Sequence, residues 1–177
     1  MGNADNRPLV AVSACLLGEP VRYDGRHKLC TVLQNFLQRH FRLLPLCPEV
    51  AIGLGVPRGP IQLVRQENGI RVLGVDCPQL DVTDALAGRA RWLLEAYPEL
   101  AGHVLMQKSP SCALHSGQLF DRNDRLLDEQ QAGGYAHILR ELAPCLPLAE
   151  ARQLQTSAGQ QRFLRQVLHY HAGLGNR

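Results

Sequence analysis

No apolar run in this sequence approaches the ~18 residues that a membrane-spanning helix needs. The first residues, MGNADNRP, are polar and hold no apolar stretch of the signal-peptide kind. Neither a membrane protein nor a secreted one is expected, and the protein is read as cytoplasmic. Aromatic residues are scarce, at 5%, and no Lys cluster interleaves with them. Nucleic acid is therefore not an expected partner. There is no GxGxxG and no Walker pattern, and the GLG at 53–55 is neither. Nucleotide-phosphate binding has no support. Finally, six cysteines occur without a single CxxC. Structural zinc sites often use such local pairs, and disulfides are rare in the cytosol. The thiols at 15, 30, 47, 77, 112 and 145 need another account, either metal binding or thiol chemistry.

What is present is an ordinary globular composition. A chain of 177 residues, 45% hydrophobic and 20% charged, suits one compact α/β domain with a sizeable core. That domain is expected over residues 9–177, with 1–8 as a frayed end. The net charge of +3 comes from the C-terminal tail, where residues 151–177 carry four Arg and no acid. No internal repeat, linker or low-complexity segment is found, and the sequence carries no signal of oligomeric state.

One stretch organises the rest. LVAVSACLLG, residues 9–18, opens as an apolar strand and breaks off at Cys15. RLLPLCPE repeats the grammar and ends at Cys47, and HVLMQKSPSC repeats it again up to Cys112. Ligands of an open parallel sheet bind outside the carboxyl ends of its strands, so three thiols distant in sequence can meet at one edge. Between these runs, apolar spacing predicts a helix near 29–41 and a second strand at 42–47. IQLVRQENGIRVLG reads as a hairpin turned at Asn68–Gly69. Asp81 reads as the N-cap of a helix over 81–97, and a third parallel strand follows at 103–108. A second hairpin is expected near 118–127, and a helix after Gly133–Gly134 with Tyr135, Ile138, Leu139 and Leu142 inward. LPL at 146–148 reads as a last strand. A closing helix over 159–172 would bury Phe163, Leu164, Val167 and Leu168. The fold class is thus α/β, with a short, mainly parallel sheet, flanking helices and one or two β-hairpins.

The thiols carry the chemistry. Soft thiolates select zinc, copper(I) or iron–sulfur clusters. A 4Fe–4S cluster takes one thiolate per iron and accepts ligands from distant parts of a chain. Three buried free thiols are the bland alternative, since free Cys is often core. Cys77 is the chief rival ligand, while Cys30 and Cys145 read as packing. Glu49, in CPEV, is an acid among apolar residues at the same edge, where burial would suit it to general acid–base work. Ser109 and Ser111 frame Pro110 and could relay protons or hydrogen-bond sulfur. Lys108, Arg58 and Arg22 could neutralise an anionic cluster or orient a polar substrate. Of the histidines, only His115 lies close to a cysteine of the set.

VSACLLGEPVRYDG, CPEVAIGLGVPRGPIQL, the DVT at 81–83 with Gly88, and QKSPSC resemble the bacterial thiouracil desulfurase family. The resemblance spans about residues 9–145. It implies a 4Fe–4S cluster held by Cys15, Cys47 and Cys112, a catalytic Glu at Glu49, and a catalytic Ser at Ser109 first and Ser111 second. It implies a short form without the extra C-terminal domain of many relatives. Where relatives commonly place Gly after the third cysteine, this chain has Ala113. The implied activity is non-redox desulfuration of a thiolated pyrimidine, as free base or nucleoside, with Lys108 assisting proton transfer. Two other readings use the same cysteines. One is a zinc- or thiolate-dependent hydrolase. The other is a non-enzymatic iron–sulfur sensor or adaptor.

Overall fold

The computed structural model describes residues 6–175. Strand β1 (Leu9–Ser13) is buried along its whole length. Its Val and Ala residues suit a pleated, covered surface. Helix α1 (Thr31–His40) returns the chain, and β2 (Arg42–Leu46) pairs parallel with β1, from Leu9 opposite Arg42 to Ser13 opposite Leu46. Strand β5 (Leu100–Leu105) lies parallel on the other side of β1, and β8 (Leu148–Glu150) lies parallel to β5. The order β2-β1-β5-β8 makes an all-parallel sheet. Pro45 sits in the edge strand β2, where a missing N–H is tolerated.

Side chains alternate across this sheet. Val10 and Val12 enter a core with Leu33 and Leu37 of α1 and with Phe163 and Val167 of α5 (Ser157–Leu174). Leu9 and Ala11 enter the other core, with Leu86 and Leu93 of α3 (Thr83–Ala96) and Tyr135 and Leu139 of α4 (Gly134–Leu142). Two hairpins share that second core. Strands β3 (Ile61–Gln66), β4 (Gly69–Gly74), β6 (Gly117–Phe120) and β7 (Leu126–Gln131) form one sheet in the order β4-β3-β6-β7. The two hairpins join through a parallel β3–β6 pairing. A buried polar pair ties β5 to α4: His103 Nε2 lies 3.2 Å from the Tyr135 hydroxyl. Burial holds the His103 imidazole down to about 4.

Several expectations are corrected. The β3–β4 loop is Glu67–Asn68, because Gln66 pairs with Gly69. A turn at Asn68–Gly69 would shift the register by two, leave each side chain on its own face and set Leu63 opposite Gly74 instead of Val72, so the observed register gains the buried Leu63–Val72 cross-strand pair. Asp81 is bridged to Leu73 in an extended conformation and accepts from Thr83 N–H and hydroxyl. The helix therefore starts at Thr83, with Val82 in the cap position. β5 and β8 are each displaced by two or three residues from the runs expected for them. Leu142 and Leu168, expected inward, are exposed. Cys145 is exposed rather than packed, and Cys30 is the half-buried cap of α1 rather than a residue within the helix. Residues 1–5 of the expected frayed end lie outside the described residues. Pro8, in the same stretch, is buried, and its carbonyl accepts from Arg42 N–H at 3.0 Å. Among the described residues, no helix is long and apolar enough to cross a membrane.

Candidate active site

β1, β2 and β5 are neighbours and finish at one edge of the parallel sheet. Past β1 the chain tightens into a 3-10 turn, Ala14–Leu17, that holds Cys15 and ends at Gly18 with φ 96°. Only glycine adopts that left-handed conformation freely. Past β2, Cys47 caps the short helix α2 (Pro48–Ala51), whose first turn contains Glu49. Past β5, residues 106–116 loop out before β6 and bring Cys112 back. The carbonyl of Ser111 accepts from the N–H groups of Tyr135 and Ala136, and that of Pro110 from Gly134. The free donors at the start of α4 thus fix this loop.

A cavity of about 260 Å³ lies among these three segments. Cys15, Cys47 and Cys112 all line it, together with Glu49, Arg58, Arg22, Lys108 and Ser109. Cys15 and Cys112 are 8% and 5% exposed. Each thiol resists ionisation. Burial, and then the charge on Cys47, push Cys15 up to about 11 against the pull of Arg22. Burial and Glu49 raise Cys47, against nearby backbone N–H groups and Arg58. Burial, Glu49 and the other two thiols raise Cys112 well above its ordinary value. Each thiolate therefore disfavours the others, and all three can ionise together only around a strongly positive centre. They come from three separate segments. Among the described residues, no three of His, Cys, Asp or Glu gather closely enough to hold a single metal ion. Three thiolates from separate segments around one cavity are a donor set that fits an iron–sulfur cluster.

Glu49 does not stand alone in an apolar loop. Arg58 donates to Oε2 through two nitrogens, at 2.9 and 2.7 Å, and the Ser111 hydroxyl donates to Oε1 at 2.9 Å. Side-chain exposure is 6% for Arg58 and 12% for Glu49. Arg58 is itself held by the carbonyls of Val21 and Gly55. Ser111 is fully buried, so its hydroxyl serves Glu49. Ser109 lines the cavity, and its Oγ accepts from the N–H groups of Ser111 and Cys112. Both acceptor positions are filled, which leaves its own hydrogen uncommitted. Lys108 has a left-handed backbone, φ 56°, and is exposed.

The sequence model of the family described as 2-thiouracil desulfurase matches residues 10–151. The chain belongs to the 2-thiouracil desulfurase family. A solved structure of the 4Fe–4S-dependent thiouracil desulfidase TudS is 33% identical, with a TM-score of 0.64 over 84% of this chain and 93% of that one. Comparison with curated proteins gives no match.

In this desulfurase-family chain the residues predicted for the site do not all converge. His115 is exposed and lies off the cavity. Cys77 is exposed beside Gln79, and Cys145 faces a separate surface cleft. Three neighbours of the site were not foreseen. Ser13 Oγ accepts from Met106 N–H at 3.0 Å, and Gln107 lines the cavity. Glu150, buried at the end of β8, grips the Cys112 loop. LPLAE carries the same signal that exposed Cys15, a short apolar run ending in a chemical side chain.

Proposed function

We propose that this protein removes sulfur from a thiolated pyrimidine of the 2-thiouracil kind, hydrolytically and with a 4Fe–4S cluster held by Cys15, Cys47 and Cys112. The carrying observation is that three thiols, two buried and one half-buried, line one cavity with Glu49 in a member of this family. When bound, such a cluster supplies an open iron that acts as a Lewis acid toward a thiocarbonyl sulfur.

The chain's own residues supply the rest. Glu49 accepts a proton from a water aimed at the ring carbon. Its contacts with Arg58 and Ser111 hold the carboxylate in one orientation. Ser109, with its uncommitted O–H, donates toward the departing sulfur. Lys108 links that hydroxyl to solvent for proton exchange. Arg22 and Arg58 offset the negative charge of the thiolates, as their pull on Cys15 and Cys47 indicates. The water oxygen ends as the product carbonyl, and sulfur leaves as sulfide carrying water's protons. No electron is transferred, so no reductant is required.

The test is anaerobic purification, quantitation of iron and acid-labile sulfide, and then turnover of 2-thiouracil. Four irons per chain with release of uracil and sulfide is the expected result. Stoichiometric zinc without visible absorption would replace this reading with a zinc hydrolase. A full cluster without turnover would replace it with a sensor or adaptor.

A further inference from the structure

Glu150 ends β8 in register with Leu105, the last residue of β5. At that point the chain leaves β5 for the loop that carries Lys108, Ser109, Ser111 and Cys112. The Glu150 side chain is 1% exposed and does not line the cavity. Its Oε1 accepts three donors: Leu114 N–H at 2.9 Å, His115 N–H at 3.0 Å and the Ser116 hydroxyl at 2.7 Å. Ser116 Oγ accepts in turn from Lys108 N–H at 2.8 Å. One carboxylate thus ties both ends of the segment 108–116.

A buried charge is costly unless it is paired and hydrogen-bonded, and this one is hydrogen-bonded through Oε1 and ion-paired through Oε2. Arg152 Nε lies 2.6 Å from Oε2, and the Gln153 side chain accepts from Glu150 N–H at 2.7 Å. Burial opposes ionisation. The His115 N–H, the Ser116 hydroxyl and the Leu114 N–H outweigh it, and the carboxyl is held below its ordinary value. The shape so fixed is not one the loop adopts freely, because Lys108 sits in the left-handed region that side-chain-bearing residues seldom enter. Glutamine would not replace this acid. It would lose the charge that strengthens the three bonds to Oε1 and pairs with Arg152, and its NH₂ would face the Arg152 cation.

We infer that Glu150, acting through Ser116, is a positioning residue that presets the loop 108–116 in its site-forming shape before any cofactor binds. This rests on the assignment of Cys112, Ser109 and Ser111 to the site. The test is hydrogen–deuterium exchange of the full chain, iron-free and iron-loaded, for wild type, Glu150→Gln, Ser116→Ala and Ser116→Thr. Iron per chain, and kcat and KM per bound iron, are measured alongside. In the iron-free protein, Glu150→Gln should speed exchange across 108–116 by about tenfold and leave β1, β2 and α5 unchanged. It should also slow iron uptake and lower kcat more than it raises KM. Ser116→Ala should reproduce part of this, and Ser116→Thr, which keeps the hydroxyl, should restore it. Unchanged exchange across 108–116 in both Glu150→Gln and Ser116→Ala would overturn the inference, as would acceleration spread evenly over all elements. The exchange result stands even if no variant binds iron, an outcome that would count against the cluster alone.

Discussion

Replacing Glu49 by Gln separates a catalytic base from a structural acid, provided Arg58 is changed too. Alone, Glu49→Gln removes one member of a pair whose side chains are 6% and 12% exposed. Breaking a buried pair leaves an uncompensated charge and costs about 3–5 kcal/mol. The carbonyls of Val21 and Gly55 still hold the Arg58 guanidinium, so the low end of that range is expected. The single variant should therefore lose stability whatever Glu49 does in the reaction. The double variant Glu49→Gln/Arg58→Met removes the orphaned cation and should recover most of that loss.

Catalysis should not recover with it. The amide cannot accept the proton of an attacking water, and loss of a general base typically costs on the order of 10²–10⁴-fold in rate. Uracil release would be followed anaerobically and divided by bound iron, and the urea midpoint would be measured on the same preparations. The expected pattern is a single variant that is unstable and slow, and a double variant that is stable and equally slow per iron. A double variant within a few-fold of wild type per bound iron would refute the reasoning. Glu49 would then be the anchor of Arg58 and nothing more.

Cys15→Ser, Cys47→Ser and Cys112→Ser should each lose cluster iron, while the exposed Cys77→Ser and Cys145→Ser keep it; full iron in Cys47→Ser would force a different ligand set. Gly133→Ala should lower iron content and cost about 1–3 kcal/mol, since a Cβ there would lie 2.4 Å from the Ser111 carbonyl carbon and 2.8 Å from Cys112 N; an unchanged iron content would show that the Cys112 loop gives way without harm. His103 has a folded value of about 4 against an ordinary 6.5, so its contribution is whole above pH 6.5 and lost as pH falls toward 4. That loss is about 3 kcal/mol. His103→Gln should flatten the stability profile across this window, and an unaltered slope would assign it to other groups.

The parts of the molecule that were legible are those where the signal is local. Cys15 and Cys47 announced themselves because an apolar strand stops and a turn or a Pro follows at once. The two hairpins were each visible from their own residues. Their union into one sheet was not, because the parallel β3–β6 pairing joins segments more than fifty residues apart and leaves no periodic trace. The Asn68–Gly69 tip failed for a related reason. Local turn preference pointed to one register, and the burial of Leu63 against Val72 imposed another.

The two buried acids of the sheet edge show where such reading stops. Glu49 was found because it stands two residues from a cysteine, and Arg58, nine residues on, was within reach as its partner. Glu150 escapes the sequence reading because apolar spacing places the strand at LPL, which leaves the acid outside any element. The displacement is only two residues, yet it moves Glu150 from a loop to the end of a buried strand beside Leu105. The two carboxylates then divide the work by what they face. Glu49 faces the cavity, with a cation on one oxygen and a hydroxyl on the other, so it is held in one orientation beside a space a substrate can enter. Glu150 faces only backbone N–H groups, one hydroxyl and Arg152, so its charge is consumed in fixing the chain. Sequence spacing cannot separate these roles, because both acids follow short apolar runs. Donor count and access to the cavity can.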